Sequence, residues 1–185
     1  MSSRLPTVDL LTLDAIDYVW NRVRKRITGL SQAEYLWEPV PDCWTVRQAG
    51  DEVVVDWSGD DPDPAPVTTI AWRMYHLAAD CFANYYTGGL GDWPIRTPQG
   101  RWTLDVAEAL ELLDTSWAAF RAGIGGLGED GQWRALGQPW GQYADDPWAS
   151  LVIHALDELS HHGAEIALLR DLWQHAPNCQ LRPPA

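Results

Sequence analysis

Near the end of the chain, histidine and glutamate recur at three- and four-residue steps: His154, Glu158, His161, His162 and Glu165. At about 100° per residue these five fall within about a third of a helical circumference, so a helix there carries five potential ligands along one stripe. Leu151, Ala155, Leu159, Ile166 and Leu169 fall beside that stripe, which places it at the border of a buried sector. Glu158 and His162 are spaced i,i+4, the spacing that brings two side chains to one metal ion from a single helical face. A third ligand from another helix would leave one coordination position open, as in catalytic rather than structural sites. His76, flanked on its own face by Trp72, Ala79 and Ala83, is the candidate.

The same spacings also serve plainer ends. A Glu and a His four apart make a solvated pair on many helices, and a single histidine on an apolar face is often a packed core residue. His154 and His161 suit an orienting or proton-relay role, or a place on the surface. Asp80, one turn beyond His76, is either an acceptor for that ring or a solvated carboxylate. Cys81, about 140° round a regular helix from His76, is expected to face away and to fill space as a small buried residue. His175 is placed to interact with a helix dipole. No glycine-rich phosphate loop, G-x-S-x-G elbow or CxxC motif is present.

Four long helical patterns must position these residues. The first runs over about 8–28, with apolar residues at three- and four-residue steps, Thr7 or Asp9 to cap it and Gly29 to stop it. The second, about 67–87, carries His76; it follows Pro66, has Thr68 or Thr69 as cap and stops at Gly88-Gly89. The third spans about 103–123, opened by Thr103 and Asp105. The fourth spans about 147–175, opened by Pro147, and bears the ligand stripe. Between the first two, prolines and glycines break the chain, with a short extended segment at Asp51 to Trp57; residues 133–146 read as irregular or a weak hairpin. The fold class expected is all-α, a four-helix bundle with short β elements in the first long connection.

Composition narrows the function. The 185 residues predict a single domain with a sizeable core. Thirteen Lys+Arg against 26 Asp+Glu leave a net charge of −13, which argues against tracking a nucleic-acid backbone or an anionic membrane. Cys43, Cys81 and Cys179 are odd in number and lack metal-binding spacing, so neither a disulfide framework nor a cysteine zinc site is expected. With no signal-peptide core and no uncharged span, a cytoplasmic location is expected. Twelve tryptophans are a heavy load. Trp37, Trp44, Trp57, Trp93, Trp102, Trp133, Trp140 and Trp148 fall in loops or near helix ends, where they either pack or wall a pocket.

The segments PVTTIAWRMYHLA (Pro66 to Ala78) and HALDELSHHGAEIALLRDLW (His154 to Trp173), with YLWEPVPDCWTVRQ (Tyr35 to Gln48) before them, resemble the DinB-like superfamily, and the helix order extends the resemblance over nearly the whole chain. The resemblance implies a bundle holding a divalent metal through one side chain of the second helix and two of the fourth. His76 matches the first position and His162 the last. Glu158 stands where many members have histidine, which is similar to the metal-binding domain of mycothiol-dependent maleylpyruvate isomerases. Those isomerases carry a further C-terminal domain and this chain ends soon after the fourth helix, so maleylpyruvate isomerisation itself is not the expected activity.

What such relatives imply is a metal, zinc ahead of nickel, that activates a low-molecular-weight thiol such as mycothiol for S-transfer to a small electrophile. A homodimer is in keeping with similar proteins. A metal-dependent hydrolase and a non-catalytic bundle that binds a ligand or dimerises are the rival expectations. Neither nucleic acid nor a membrane is expected as a partner.

Overall fold

The computed structural model describes residues 7–58, 62–92 and 102–175; the expectations for Trp93 and Cys179 lie outside them. Helix α1 (Val8–Ile27) buries Leu13, Ile16, Trp20, Val23 and Ile27 along one stripe and ends at Gly29, whose φ of +71° suits glycine. Thr7 stands at its N-cap, but its hydroxyl bonds Asp9 instead of a helix amide. A short helix α2 (Gln32–Tyr35) follows, which hydrophobic periodicity did not predict; its signal is the capping box Ser31-Gln32-Ala33-Glu34, with both reciprocal bonds formed. The extended segment expected near Asp51 is strand β2 (Glu52–Val55), paired antiparallel with β1 (Val46–Ala49) around Gly50, which has a φ of +62°.

The second long helix has three parts. Helix α3 (Ile70–Tyr75) is capped by Thr69, whose hydroxyl accepts from the Trp72 amide, while Thr68 bridges to Trp44. The chain then widens into a π-helical segment, His76–Ala83, and narrows again as α4 (Asn84–Thr87). Gly88 and Gly89 do more than stop it. A Cβ on either would lie 2.3 Å from the ring of Trp140 or 2.6 Å from that of Trp148, and the Trp140 indole donates to the Gly88 carbonyl at 2.9 Å.

Helix α5 (Val106–Gly125) begins where Asp105 accepts from the Glu108 amide. The glycine-rich stretch after it forms helix α6 (Gly128–Gln132) and a 3-10 segment, Gln138–Tyr143, where a weak hairpin was one expectation. Only the isolated bridge Ala135 to Pro147 has strand character there. Helix α7 (Trp148–His175) is regular throughout.

The fold is predominantly α-helical with one short hairpin, the arrangement of a helix bundle. Cross-helix pairs give the directions. Val23 meets Gly163, and Arg26 meets Ala167 and Asp171, so α1 and α7 run parallel. Asp17 pairs with Arg121 and Arg24 with Asp114, so α1 and α5 run antiparallel. Arg73 pairs with Glu165 and His76 with Glu158, so the second long helix runs antiparallel to α7. The core between them holds Ile16, Leu77, Phe82, Phe120 and Leu159, with Trp20 stacked on Trp117 at 4.6 Å. At the rim of α7, buried Arg170 donates to Glu34 at 3.0 Å and to carbonyls closing α1, joining that helix end to α2 and α7. No helix among the described residues is long and apolar enough to cross a membrane.

Candidate metal centre

The antiparallel crossing of the π-helical segment and α7 brings His76, Glu158 and His162 together. Nε2 of His76 lies 3.1 Å and Nε2 of His162 lies 3.0 Å from the same Glu158 oxygen, Oε2. The two rings stand edge to face with centroids 4.7 Å apart. Ligand atoms about 2.0–2.2 Å from a tetrahedral zinc are separated by about 3.4 Å, so each nitrogen stands from that oxygen within a few tenths of an ångström of the separation a shared ion would set.

The other nitrogen of each ring is held by a carboxylate. Nδ1 of His76 faces Asp80 Oδ2 at 3.2 Å, and Nδ1 of His162 faces Glu165 Oε2 at 2.7 Å. A protonated Nδ1 suits both contacts, which directs both Nε2 atoms inward, the outer arrangement usual around metal-ligating histidines. Asp80 is thus a partner of His76 and not a solvated carboxylate. Arg73, which sequence reasoning passed over, binds Glu165 at 2.8 and 3.0 Å and reaches within 3.2 Å of His162 Nδ1. Its partner lies on another helix, so no local spacing announces it.

The electrostatics follow from this packing. For His76, burial favours the neutral ring, but the Asp80 carboxylate foremost, with Cys81 and Glu158, outweighs it and pushes the pKa up to about 10. Burial raises Glu158 and Glu165, yet the facing histidines, and Arg73 for Glu165, hold both carboxyls below the ordinary range. Without an ion, the proton on His76 supplies positive charge to Asp80 and Glu158, while Arg73 supplies it to Glu165.

Cys81 overturns an expectation. It is 1% exposed, and its Sγ sits 3.6 Å from His76 Nε2 and 3.8 Å from Glu158 Oε2. The 140° offset assumed α-helical turns; a π-helical turn closes i to i+5, so residue 81 comes round towards the face of residue 76. Among the described residues, two clusters of metal-ligating residue types have ligand atoms within 4.8 Å of one another: His76–Cys81–Glu158, which the π turn assembles, and His161–His162–Glu165 along α7.

Of the remaining candidates, His154 and His161 are largely exposed, 3.8 Å from Glu158 and 3.4 Å from Glu165 respectively. The tryptophans divide. Trp72 stacks on His76 at 5.3 Å, with Trp57 and Trp44 beyond it, forming a wall beside the site. Trp140 lines a cleft of about 340 Å³ with Tyr85, Tyr143, Leu151 and His154. Trp37 packs on Trp173, Trp102 on Tyr75, Trp148 is buried, and Trp133 is exposed. Tyr85, which no sequence argument singled out, packs against His154 with its ring tilted and centroids 5.7 Å apart, and so joins the cleft to the ligand stripe.

A profile of the DinB superfamily matches residues 15–166. The chain belongs to the DinB superfamily. No curated protein and no solved structure matches it. Membership of a superfamily does not fix the chemistry, which depends on the side chains at the site.

Proposed function

We propose that this DinB-superfamily chain is a metal-dependent thiol S-transferase, with His76, Glu158 and His162 holding a divalent ion, zinc before nickel, and a small thiol of the mycothiol type as nucleophile. One observation carries the proposal: two histidine nitrogens from facing helices converge on one Glu158 oxygen, while carboxylates fix the far side of both rings. A bound divalent ion would supply Lewis acidity that favours thiolate over thiol near neutral pH.

The chain's own residues do the rest. Asp80 and Glu165 hold the imidazoles in orientation, and Arg73 holds Glu165. The cleft of Tyr85, Trp140 and Tyr143 receives an electrophile with apolar or aromatic surface beside the site. His154 lines that cleft and faces Glu158, so it is placed to take the proton the thiol loses. The sulfur then forms a bond to the electrophilic carbon, whose leaving group departs with its electron pair. The net charge of −13 argues against a nucleic-acid partner, and a homodimer is in keeping with the proposal.

Elemental mass spectrometry on protein purified without a histidine tag tests the metal first. Near-stoichiometric metal is expected in the wild type and its loss in His162→Ala; two metal-free preparations after zinc supplementation would refute the proposal and favour a non-catalytic bundle. Incubation with mycothiol and small electrophiles should then yield thioether detectable by mass. Turnover of ester or amide substrates with no thiol present would instead assign the ion to hydrolysis.

A further inference from the structure

Cys81 is a buried nucleophilic group that the reaction above leaves unused. Its surroundings are those of a ligand. Around a tetrahedral ion with metal–sulfur bonds of about 2.3 Å and metal–nitrogen or metal–oxygen bonds of about 2.0–2.2 Å, sulfur stands about 3.6 Å from each neighbouring donor. Cys81 Sγ is 3.6 Å from the His76 nitrogen and 3.8 Å from the Glu158 oxygen; those two atoms are 3.1 Å apart, and the oxygen also meets His162 Nε2 at 3.0 Å. Cys81 is 1% exposed, and its Sγ is aimed into the cluster. The helix departs from α geometry over His76–Ala83, the stretch that contains both residues, and that departure is what brings Cys81 to the site. π-helical interruptions of α-helices are frequent at functional sites.

We propose that Cys81 is a fourth ligand to the ion, giving a shell of two nitrogens, one oxygen and one sulfur from His76, His162, Glu158 and Cys81. The inference rests on the metal-binding reading above. As the sulfur–metal bond forms, the thiol proton leaves to solvent. With neutral imidazoles, one carboxylate and one thiolate balance a divalent charge. A single thiolate beside imidazole selects borderline cations such as zinc and cobalt(II) over magnesium and calcium, which prefer oxygen. Because four protein donors would leave no open position, catalysis would require Cys81, the one sulfur among them, to yield its place to the thiol.

Cobalt(II) titration of the metal-free full chain tests this by spectroscopy, independently of turnover. One equivalent should give visible ligand-field bands together with a near-ultraviolet thiolate-to-cobalt charge-transfer band. In Cys81→Ser the charge-transfer band should vanish, and chelator competition should show affinity lowered by at least the roughly 10–100-fold that loss of an outer-shell partner costs. Cys43→Ser should keep the band, and excess magnesium should not displace the cobalt. Ligand-field bands without charge transfer in the wild type, or a charge-transfer band that persists in Cys81→Ser, would overturn the fourth ligand while leaving the three-ligand site standing. No cobalt binding by the wild type would instead overturn the metal-binding reading itself. Should Cys81→Ser fail to fold, the Cys43→Ser/Cys179→Ser double variant, which keeps Cys81 as its one cysteine, should retain the band, and its loss there would overturn the fourth ligand.

Discussion

At the scale of single residues, the site is built as much by the groups behind the histidines as by the histidines. Asp80 is the clearest case, because its carboxylate meets the His76 Nδ1 at 3.2 Å, on the side of the ring away from the other proposed ligands. Asp80→Ala frees the ring to rotate and removes the negative charge that supports it. Metal affinity, read by chelator competition, should fall roughly 10–100-fold; unchanged affinity would mean that Trp72 stacking alone orients His76. How much of this was legible depended on helix type. Glu158 and His162 lie on regular α7, where counting at the α-helical angle places side chains correctly. Cys81 was misplaced because the helix carrying it widens, and neither composition nor periodicity over those eight residues, HLAADCFA, distinguishes a π turn from an α turn. Arg73 was missed for another reason: its partners are 89 and 92 residues away, and one helix alone carries no mark of such a pair.

At the scale of elements, the register between α1 and α7 is set by a residue with no side chain. A Cβ on Gly163 would lie 2.3 Å from Cγ2 of Val23, well inside van der Waals contact. Gly163 follows His162 directly, so the close approach of the two helices also fixes how far His162 projects towards His76. Gly163→Ala should cost about 1–3 kcal/mol through overpacking, despite the better helix propensity of alanine. Because Val23 is the clashing partner, Val23→Ala in the same chain should recover part of that loss. Denaturant unfolding of both variants checks this, and a double variant no more stable than Gly163→Ala would show that the contact is not what sets the spacing. The helix ends, their glycine stops and the caps at Thr69 and Asp105 were readable because each has a local chemical cause. The inter-helix distance at Gly163 was not, since a glycine inside a helix does not name the side chain it makes room for.

At the scale of the whole molecule, stability, pH and metal are linked through His76. Its pKa is raised from 6.5 to about 10 in the folded chain. The metal-free protein therefore gains stability from the proton on His76 that is fully present below about pH 6.5 and is lost as pH climbs through about 10. Glu158 and Glu165, held below their ordinary value of 4.5, act at the other end: their contribution is present above that value and disappears as pH falls through their lowered folded pKa values. An ion at the site needs His76 neutral, so it competes with that proton, and its grip tightens as pH rises. Free zinc at a hundred times its dissociation constant should stabilise the fold by about 2.7 kcal/mol, which for a chain of this size raises Tm by roughly 5–10 °C. The gap in Tm between zinc-loaded and chelator-treated protein should therefore widen steadily from pH 6.5 to pH 9, because the chelated form weakens over that range while the ion takes over the charge that the proton supplied. Thermal melts at matched ionic strength measure both curves. A gap that stays constant or narrows with pH would show that His76 does not exchange its proton for the metal, and would remove it from the ligand set even if metal copurifies with the chain.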